Sequence, residues 1–439
     1  MTLISVLEEE IKRVKPSVAE KKRIEQISKL VVNELESRIK SKRIKASVFI
    51  GGSVAKGTLV KKDKQDIDMF VRFDSSYDED ELKKLFGKLF SFFKIRGHKI
   101  QVEKHKGSRD YMRILFREEK IMVEVVPTIK VLNDKEARNI TDLSFFHVSY
   151  IKQKIKKQPG LADEIILAKA FCHGQNVYGA ESYINGFSGY ALELLVCHYG
   201  SFVNFLKELA YSRGVGNGGV IIDIEKLYSG KEEVLAKINP SKKQSPIILI
   251  DPTFKERNVA MALSHETFQR FKIAARDFLA KPSLEFFEVK NVDPVEIEEL
   301  AGKSLALYLA LEVSTNKQDG DIAGTKLKKF YRVFLNHVRK SFDVVESHFV
   351  YDDAKNAKLY FILKRKKELE FIGPPTELKD AVVRFKKEHP IWYVKNGKVC
   401  AAKDPNIKLS KFISDFKSKD RKLLKQMSIT NLTLLSSRG

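Results

Sequence analysis

Cysteines and long hydrophobic runs are scarce in this sequence, and each absence excludes a class of protein. The 439 residues contain three cysteines, an odd number far apart in the chain, which argues against a disulfide framework. No apolar run approaches the roughly 18 residues that span a bilayer, and the first residues turn acidic too early for a signal peptide. The sequence therefore predicts a soluble, cytoplasmic protein with no membrane association.

Acidic residues are outnumbered by basic ones. The chain has 80 Lys and Arg against 57 Asp and Glu, a formal net charge of +23. Because 43 % of the residues are hydrophobic, with 29 Phe among them, the chain can fill a core and is not disordered. A positive surplus favours a polyanionic partner, since each Lys or Arg docked on a phosphate releases counterions. Charge alone leaves ribosomal association or a lysine-rich thermophilic surface open.

The order of predicted elements indicates an α+β protein of three domains. Residues 1–145 begin with a long helix from Ser17 and continue as mixed strands with one more helix. Residues 146–280 are predicted to be mainly helical, and residues 281–439 follow a β-α-β-β order that resembles ferredoxin-like or RNA-recognition folds. The predicted helices of the last two domains span 148–157, 163–175, 189–212, 259–279, 322–341, 376–389 and 409–427.

A glycine-serine turn followed by two aspartates is the sharpest motif. Gly52 and Ser53 follow a predicted strand, and Asp66 and Asp68 lie in the next one. Because side chains alternate along a strand, the two aspartates share a face. Paired carboxylates suit a hard ion such as Mg²⁺, and glycine lets the backbone approach a phosphate closely. With Lys56 nearby, the motif predicts a site for a metal ion and a triphosphate.

A third carboxylate, Glu124, lies in an otherwise apolar predicted strand, where burial is costly without a cation or a donor. With it the site can hold two metal ions, one activating an attacking hydroxyl and one holding the leaving oxygens. Each feature also has a plain structural interpretation: a simple turn, a solvated strand face, an edge residue. The three together, in this order and spacing, favour the metal site.

This pattern resembles the DNA polymerase β-like nucleotidyltransferases, which include poly(A) polymerases, oligoadenylate synthetases, antibiotic nucleotidyltransferases and CCA-adding enzymes. Four later segments are similar to the archaeal, class I CCA-adding tRNA nucleotidyltransferases in particular. They span residues 144–147, 169–178, 186–190 and 251–260. The resemblance is strongest over residues 45–275. It implies a polymerase β-like catalytic domain and template-independent addition of CCA to the 3′ end of tRNA, from CTP and ATP, with release of pyrophosphate.

The resemblance also implies a role for each matching residue. Asp66, Asp68 and Glu124 are the implied catalytic residues and would hold two Mg²⁺ ions, although this family commonly has Asp in place of Glu124. Lys56 stands where the family often has Arg. Its ammonium group is a point charge and lacks the two parallel hydrogen bonds that a guanidinium group can donate. The implied nucleotide-binding residues are Gly52, Ser53, Lys56, Ser144, His147, Lys169, Tyr178 and Arg257, the last of which helps to select the base.

The residues alone leave other interpretations open for three of these positions. His147 could be a buried core histidine, Tyr178 a packing residue, and Arg257 half of an ion pair with Asp251 or Glu256.

Basic side chains gather in two blocks of the third domain. Residues 326–340 carry six basic and no acidic side chains, and residues 355–425 carry 20 basic and 8 acidic ones. Such blocks suit phosphate contacts that fix position rather than sequence, here on the tRNA acceptor end; a solvated lysine-rich surface is the alternative. The predicted RNA-binding residues are Lys326, Lys328, Lys329, Arg332, Arg339, Lys340, Lys364, Arg365 and Lys366.

Two other functions stay open on this sequence. A related RNA nucleotidyltransferase, A-adding or poly(A)-type, would share the metal site. A catalytically inactive RNA-binding relative would keep only the basic region, and the intact Asp66, Asp68 and Glu124 speak against it. The sequence leaves open whether the protein is a homodimer.

Overall fold

The computed structural model describes residues 2–212, 220–289, 291–352, 354–366, 369–403 and 406–438. The chain forms two compact units, Met1–Lys290 and Asn291–Gly439. Among the residues described, no helix is long and apolar enough to cross a membrane. Helices and sheets occur in both units, which confirms the predicted α+β class. The division into three domains stays a prediction.

The first unit begins with a five-stranded mixed sheet of order β1-β2-β5-β4-β3. Strand β2 pairs in parallel with β5, and the other neighbours are antiparallel. The strands are β1 (Ala46–Ile50), β2 (Gln65–Phe73), β3 (Ile100–His105), β4 (Tyr111–Phe116) and β5 (Ile121–Ile129).

One face of this sheet is covered by helices, and the other carries the polar residues. Along β2 the residues alternate strictly between buried and half-buried, as expected for a strand with one covered face. Ile67, Met69, Val71 and Phe73 are fully buried against helices α2 (Val18–Ser41) and α4 (Glu79–Leu89). The opposite face therefore receives Asp66 and Asp68.

The predicted opening helix begins where expected, with Ser17 as its N-cap, but it is the second helix of the chain. Helix α1 (Leu3–Val14) precedes it, with Thr2 accepting a hydrogen bond from the Ser5 amide as its N-cap. Its apolar side packs on the helical core of the first unit through Leu3, Val6 and Leu7. In the acidic run after residue 7, Glu8 and Glu9 are exposed but Glu10 is buried, and this run obscured the amphipathic pattern in the sequence.

The rest of the first unit is mainly helical, with a small sheet of order β6-β7-β8. The predicted helix 189–212 is two helices, because Gly200 adopts a φ of +80° and ends the first of them. The predicted helix 259–279 begins only after its N-cap Ser264. The elements are α3 (Gly52–Lys56), α5 (Ser144–Lys157), α6 (Leu161–Gly174), α7 (Gly189–Tyr199), α8 (Phe202–Ala210), β6 (Val220–Ile222), α9 (Lys231–Lys237), β7 (Ile247–Asp251), β8 (Phe254–Asn258) and α10 (His265–Ala280).

The second unit is built on an antiparallel sheet of order β10-β11-β9-β15. Its strand and helix order is the ferredoxin-like β-α-β-β-α-β, of which the opening β-α-β-β was predicted. A smaller sheet of order β12-β14-β13 is inserted before the second helix of this order. The elements are α11 (Pro294–Lys303), β9 (Leu307–Thr315), α12 (Asp321–Ser341), β10 (Phe342–Tyr351), β11 (Asn356–Arg365), β12 (Leu369–Pro375), α13 (Lys379–Glu388), β13 (Trp392–Lys395), β14 (Lys398–Lys403), α14 (Leu409–Lys419), α15 (Arg421–Gln426) and β15 (Ile429–Arg438).

Three predictions in the second unit need correction. The helix expected over 376–389 starts at Lys379, and strand β12 precedes it. The helix expected over 409–427 is two helices, α14 and α15, which meet at Asp420. Strand β15, which was not predicted, lies at the edge of the sheet beside β9, where Ile429 and Leu432 are its buried residues.

Candidate active site

The three predicted catalytic carboxylates lie on neighbouring strands of the first sheet. The parallel register of β2 and β5 places Asp68 directly opposite Glu124, and Asp66 lies two residues before Asp68 on the same face. Asp66 and Glu124 each have a cationic partner: Lys62 Nζ lies 3.3 Å from Asp66 Oδ2, and Arg113 Nε donates to Glu124 Oε1 at 2.8 Å. Asp68 lies between them.

The electrostatics of Asp68 fit a cation-binding role. Burial, together with the negative charges of Glu124 and Asp66, raises the pKa of Asp68 from 3.8 to about 6. A divalent ion would relieve this repulsion, and an all-oxygen donor set is the one that Mg²⁺ prefers. As the side chains of the described residues stand, no three acidic, histidine or cysteine groups lie close enough to hold one ion. Glu124 and Asp66 would have to turn from their cationic partners toward Asp68.

The glycine-serine turn closes over Asp68. Gly51 N–H donates to the Asp68 carbonyl oxygen at 2.8 Å, and Gly52 begins helix α3 with a φ of +57°. A Cβ on Gly52 would lie 1.7 Å from Asp68 Oδ2, so this contact requires glycine. Ser53 follows on α3 as a half-buried residue. The predicted glycine-serine turn is confirmed, and it lies at the start of helix α3, which has 5 residues.

Replacing Gly52 with Ala is expected to reduce nucleotide addition at least about a hundredfold, because the new methyl group displaces the Asp68 carboxylate. Gly57 is the matched control: its φ is +72°, but an added Cβ there meets no atom within 4 Å. Gly57→Ala should lose only about 1 kcal/mol of unfolding free energy and keep its activity. Steady-state kinetics and thermal melts of both variants measure this. Equal activity losses in the two would show that backbone strain, rather than the Asp68 contact, is what matters.

Two of the predicted triphosphate ligands share one buried carboxylate. Lys56 Nζ, on α3, lies 2.5 Å from Glu193 Oε2, and Lys169 Nζ, on α6, donates to Glu193 Oε1 at 2.8 Å. The Thr58 hydroxyl donates to the same Oε1 at 2.8 Å. Burial acts to raise the pKa of Glu193, but the ammonium groups of Lys169 and Lys56 outweigh it and lower that pKa to about 2. Glu193 is therefore ionised at any working pH.

A second cluster surrounds Asp251, which is fully buried at the end of β7. His147 Nε2 lies 3.1 Å from Asp251 Oδ2, and Arg257 Nη1 donates to the same oxygen at 3.0 Å. Tyr190 OH donates to Asp251 Oδ1 at 3.2 Å, and the Tyr190 ring packs on the His147 ring at 4.2 Å between centroids. Burial lowers the pKa of His147, despite the opposing effect of Asp251. The structure thus brings the predicted His147 and Arg257 together.

The remaining predicted nucleotide-binding residues lie on the same helical part. Ser144 is the first residue of α5 and is half-buried. The Tyr178 ring stacks on His173 at 3.9 Å between centroids, and burial raises the pKa of its hydroxyl. Its hydroxyl oxygen would lie 2.9 Å from a Cβ added to Gly189. Tyr178 therefore packs through its ring on His173, and its hydroxyl lies close to Gly189.

The predicted RNA-binding residues lie on two elements of the second unit. Along α12, Lys329, Arg332, Arg339 and Lys340 are exposed, whereas Lys326 is half-buried. Lys328 is also half-buried, with Nζ 4.6 Å from the centre of the Phe349 ring. Lys364 and Arg365 are exposed at the end of β11, and Lys366 after it is half-buried.

Backbone pairing joins the two groups at one end of this sheet. Arg365 pairs with Phe342, the residue after α12, and Lys364 pairs with Asp343. The basic end of α12 and the basic end of β11 therefore meet.

Several residues of these clusters were not predicted as site residues, among them Thr58, Lys62, Arg113, Tyr190, Glu193 and Asp251. For Glu193 a signal existed, because it is a single carboxylate inside the apolar helix α7. The same argument identified Glu124 in its strand. Asp251 was considered only as a possible ion-pair partner of Arg257. The structure shows this contact, because Arg257 donates a hydrogen bond to Asp251.

Comparisons with known proteins identify the family of the chain. Residues 163–288 match the model of the tRNA nucleotidyltransferase second domain, and residues 1–144 match that of the Second Messenger Oligonucleotide or Dinucleotide Synthetase domain. The chain is 28 % identical to the CCA-adding enzyme of Methanocaldococcus jannaschii over 416 residues, which cover 91 % of this chain and 87 % of that protein.

It is also 29 % identical to the CCA-adding enzyme of Thermococcus gammatolerans over 406 residues, 90 % of this chain and 85 % of the relative. The CCA-adding enzyme of Nanoarchaeum equitans is 32 % identical over 350 residues, which cover 79 % of this chain and 81 % of the relative. With identity at that level across most of both chains, this protein belongs to the CCA-adding enzyme family, as its sequence motifs predicted.

Proposed function

We propose that this protein completes the 3′ end of tRNA by adding CCA from CTP and ATP, with Asp66, Asp68 and Glu124 as its catalytic residues. The observation that supports this most directly is the register of Asp68 opposite Glu124, beside the glycine-serine turn, in a chain of this family. The proposed tRNA substrate suits a cytoplasmic enzyme.

The three carboxylates would hold Mg²⁺, and we propose two ions. When bound, the metal supplies Lewis-acid stabilisation of charge on the reacting phosphate and on the attacking 3′-hydroxyl. Lys62 and Arg113 hold the Asp66 and Glu124 carboxylates as separate groups on one sheet face. The sheet register thus places the acidic groups on one face, and Asp66 and Glu124 would exchange these cationic partners for the metal.

The residues around the turn would bind the nucleotide. Gly52 and Ser53 offer backbone and hydroxyl donors, and Lys56 has charged donors for the triphosphate. The donors of Lys169 are used by Thr58 and Glu193, so it adds positive charge only. Ser144 and Tyr178 lie on the adjoining helical part, where ribose contacts are expected. His147 and Arg257, joined by Asp251, would face the base, and Arg257 offers the fixed guanidinium donors that can distinguish C from A without a template.

The second unit would hold the RNA. Its exposed Lys329, Arg332, Arg339 and Lys340 lie on the solvent side of α12, and Lys364 and Arg365 lie at the end of β11 that meets it. We propose that these residues, with the half-buried Lys326, Lys328 and Lys366, contact phosphates of the acceptor stem. Phosphate contacts carry no sequence information, which suits an enzyme that must accept every tRNA.

The experiment supplies Mg²⁺, CTP and ATP to tRNA transcripts that lack the final A, the final CA or the whole CCA, and sequences the product ends. The wild-type protein is expected to restore CCA on all three. Addition of A alone to the transcript that lacks CCA would identify an A-adding enzyme instead. No incorporation on any transcript would favour an inactive RNA-binding relative.

A further inference from the structure

Glu193 joins four segments of the first unit at one buried point. It lies on α7 with no exposed surface, and its two oxygens contact Lys56 on α3, Lys169 on α6 and Thr58 in the loop after α3. Lys56 and Lys169 are nearly buried as well, with side chains 8 % and 4 % exposed. A carboxylate removed from water in this way is stable only with such partners.

The donors of Lys169 are fully used within this cluster. Its ammonium group has three N–H donors, and three acceptors surround it: the Thr58 carbonyl oxygen at 3.2 Å, the Thr58 hydroxyl at 2.9 Å and Glu193 Oε1 at 2.8 Å. Lys169 therefore fixes Glu193 and Thr58 in place. Lys56 differs, because Glu193 Oε2 is the one hydrogen-bond acceptor that the described residues give its ammonium group, which leaves donors for a ligand.

We propose that Glu193 is a positioning residue for the triphosphate, acting through Lys56. Lys169 and Thr58 hold one oxygen of Glu193, and the other oxygen holds Lys56 at the end of the five-residue helix that begins at Gly52. The buried carboxylate thus ties the glycine-serine turn to helices α6 and α7. This inference rests on the proposed function, in which Lys56 binds the nucleotide.

A double substitution at Glu193 and Lys56 distinguishes a positioning role of Glu193 from a merely structural one. Glu193→Gln keeps the shape of the side chain but can present an NH₂ group, a donor, to the ammonium of Lys56. Lys56 then loses its fixed position. If Glu193 acts through Lys56, the substitution has little further effect on nucleotide affinity once Lys56 is already Met.

The experiment measures KM and kcat for CTP, and CTP affinity by calorimetry without RNA, for Glu193→Gln, Lys56→Met and the double variant. Glu193→Gln is expected to raise KM and Kd about tenfold or more, the loss of a charge-assisted contact, with a smaller change in kcat. The double variant should match Lys56→Met. Asp142→Asn is the structural control, since Asp142 is a fully buried carboxylate paired with Arg109 in the same unit; its thermal stability should fall with KM unchanged.

Two outcomes would overturn the proposal. One is a Glu193→Gln variant with lower thermal stability but wild-type CTP affinity. The other is a Glu193→Gln substitution that lowers CTP affinity by the same factor in the wild type and in the Lys56→Met background. A wild-type protein that binds CTP but adds no nucleotide to tRNA would instead contradict the proposed function. The calorimetry of the variants would still decide the role of Glu193 in that case.

Discussion

Asp68→Asn is expected to lower nucleotide addition to tRNA about a thousandfold or more, the equivalent of several kcal/mol of transition-state stabilisation. Asp68 lies between Asp66 and Glu124 and directly under the Gly52 backbone, so no neighbouring carboxylate can take its place. Single-turnover kinetics with a tRNA that lacks its final A measure the effect on chemistry. Asp74→Asn, in the residue that follows strand β2, should retain full activity.

The same substitution is expected to leave folding intact, or to stabilise it, when divalent metal is absent. Because the folded pKa of Asp68 is raised to about 6, its ionised form is less favourable in the folded state than in the unfolded chain. The wild type therefore loses stability as pH rises from about 4 through 6, and Asp68→Asn does not. Thermal melts in EDTA at pH 4 and pH 8 measure this difference. A variant that is less stable than the wild type at pH 8 would show that Asp68 has a structural role.

The carboxylate site could be predicted from sequence because it depends on local rules. Alternation along β2 placed Asp66 and Asp68 on one face, and an acidic residue in an apolar strand identified Glu124. The parallel pairing that sets Asp68 opposite Glu124 is consistent with that prediction. Short-range patterns were sufficient to select these three residues as candidates, and their catalytic role stays a prediction.

The buried clusters could not be predicted in this way because their partners are distant in the chain. Glu193 meets Lys56 across 137 residues, and His147 meets Asp251 across 104. No local pattern specifies which of many lysines or carboxylates will meet inside a core. The same limit applies to β15, which has few buried residues and becomes a strand through its pairing with β9.

The break between α7 and α8 was missed for a different reason. Apolar residues continue at helical spacing across Gly200, and a single glycine inside a helical pattern is compatible with one continuous helix. Gly200 instead takes a left-handed conformation, and Ser201 then caps α8 by accepting from the Asn204 amide. The glycine and the following serine together indicate that one helix ends and another begins, which the glycine alone does not.

Asp251→Asn is expected to lower both nucleotide addition and stability, because the buried Asp251 carboxylate lies within hydrogen-bond distance of four residues. Arg257 donates to one oxygen, which also lies 3.1 Å from His147 Nε2, and Tyr190 and Thr253 donate to the other. An amide nitrogen in place of the first oxygen would face the Arg257 donor. We expect a loss of about 3 kcal/mol in unfolding free energy and about a hundredfold in kcat/KM.

If Arg257 contacts the base, Asp251→Asn should also weaken the discrimination between CTP and ATP. The ratio of kcat/KM for CTP to that for ATP, measured on a tRNA that lacks CCA, should move toward unity in Asp251→Asn. Glu256→Gln is the matched control, because it removes the same charge from an exposed residue adjacent to Arg257 in the chain. Its ratio should equal that of the wild type.

The pH dependence of stability provides an independent check on the Asp251 cluster. Hydrogen bonding and the positive charges of His147 and Arg257 outweigh burial and lower the pKa of Asp251 to about 2. The stability that this carboxylate contributes is present above its ordinary pKa of 3.8 and is lost as pH falls toward 2. The difference in unfolding free energy between wild type and Asp251→Asn should therefore be constant from pH 5 to pH 8 and shrink below pH 4. A difference that stays constant down to pH 2 would mean that Asp251 does not act as a charged partner of His147 and Arg257.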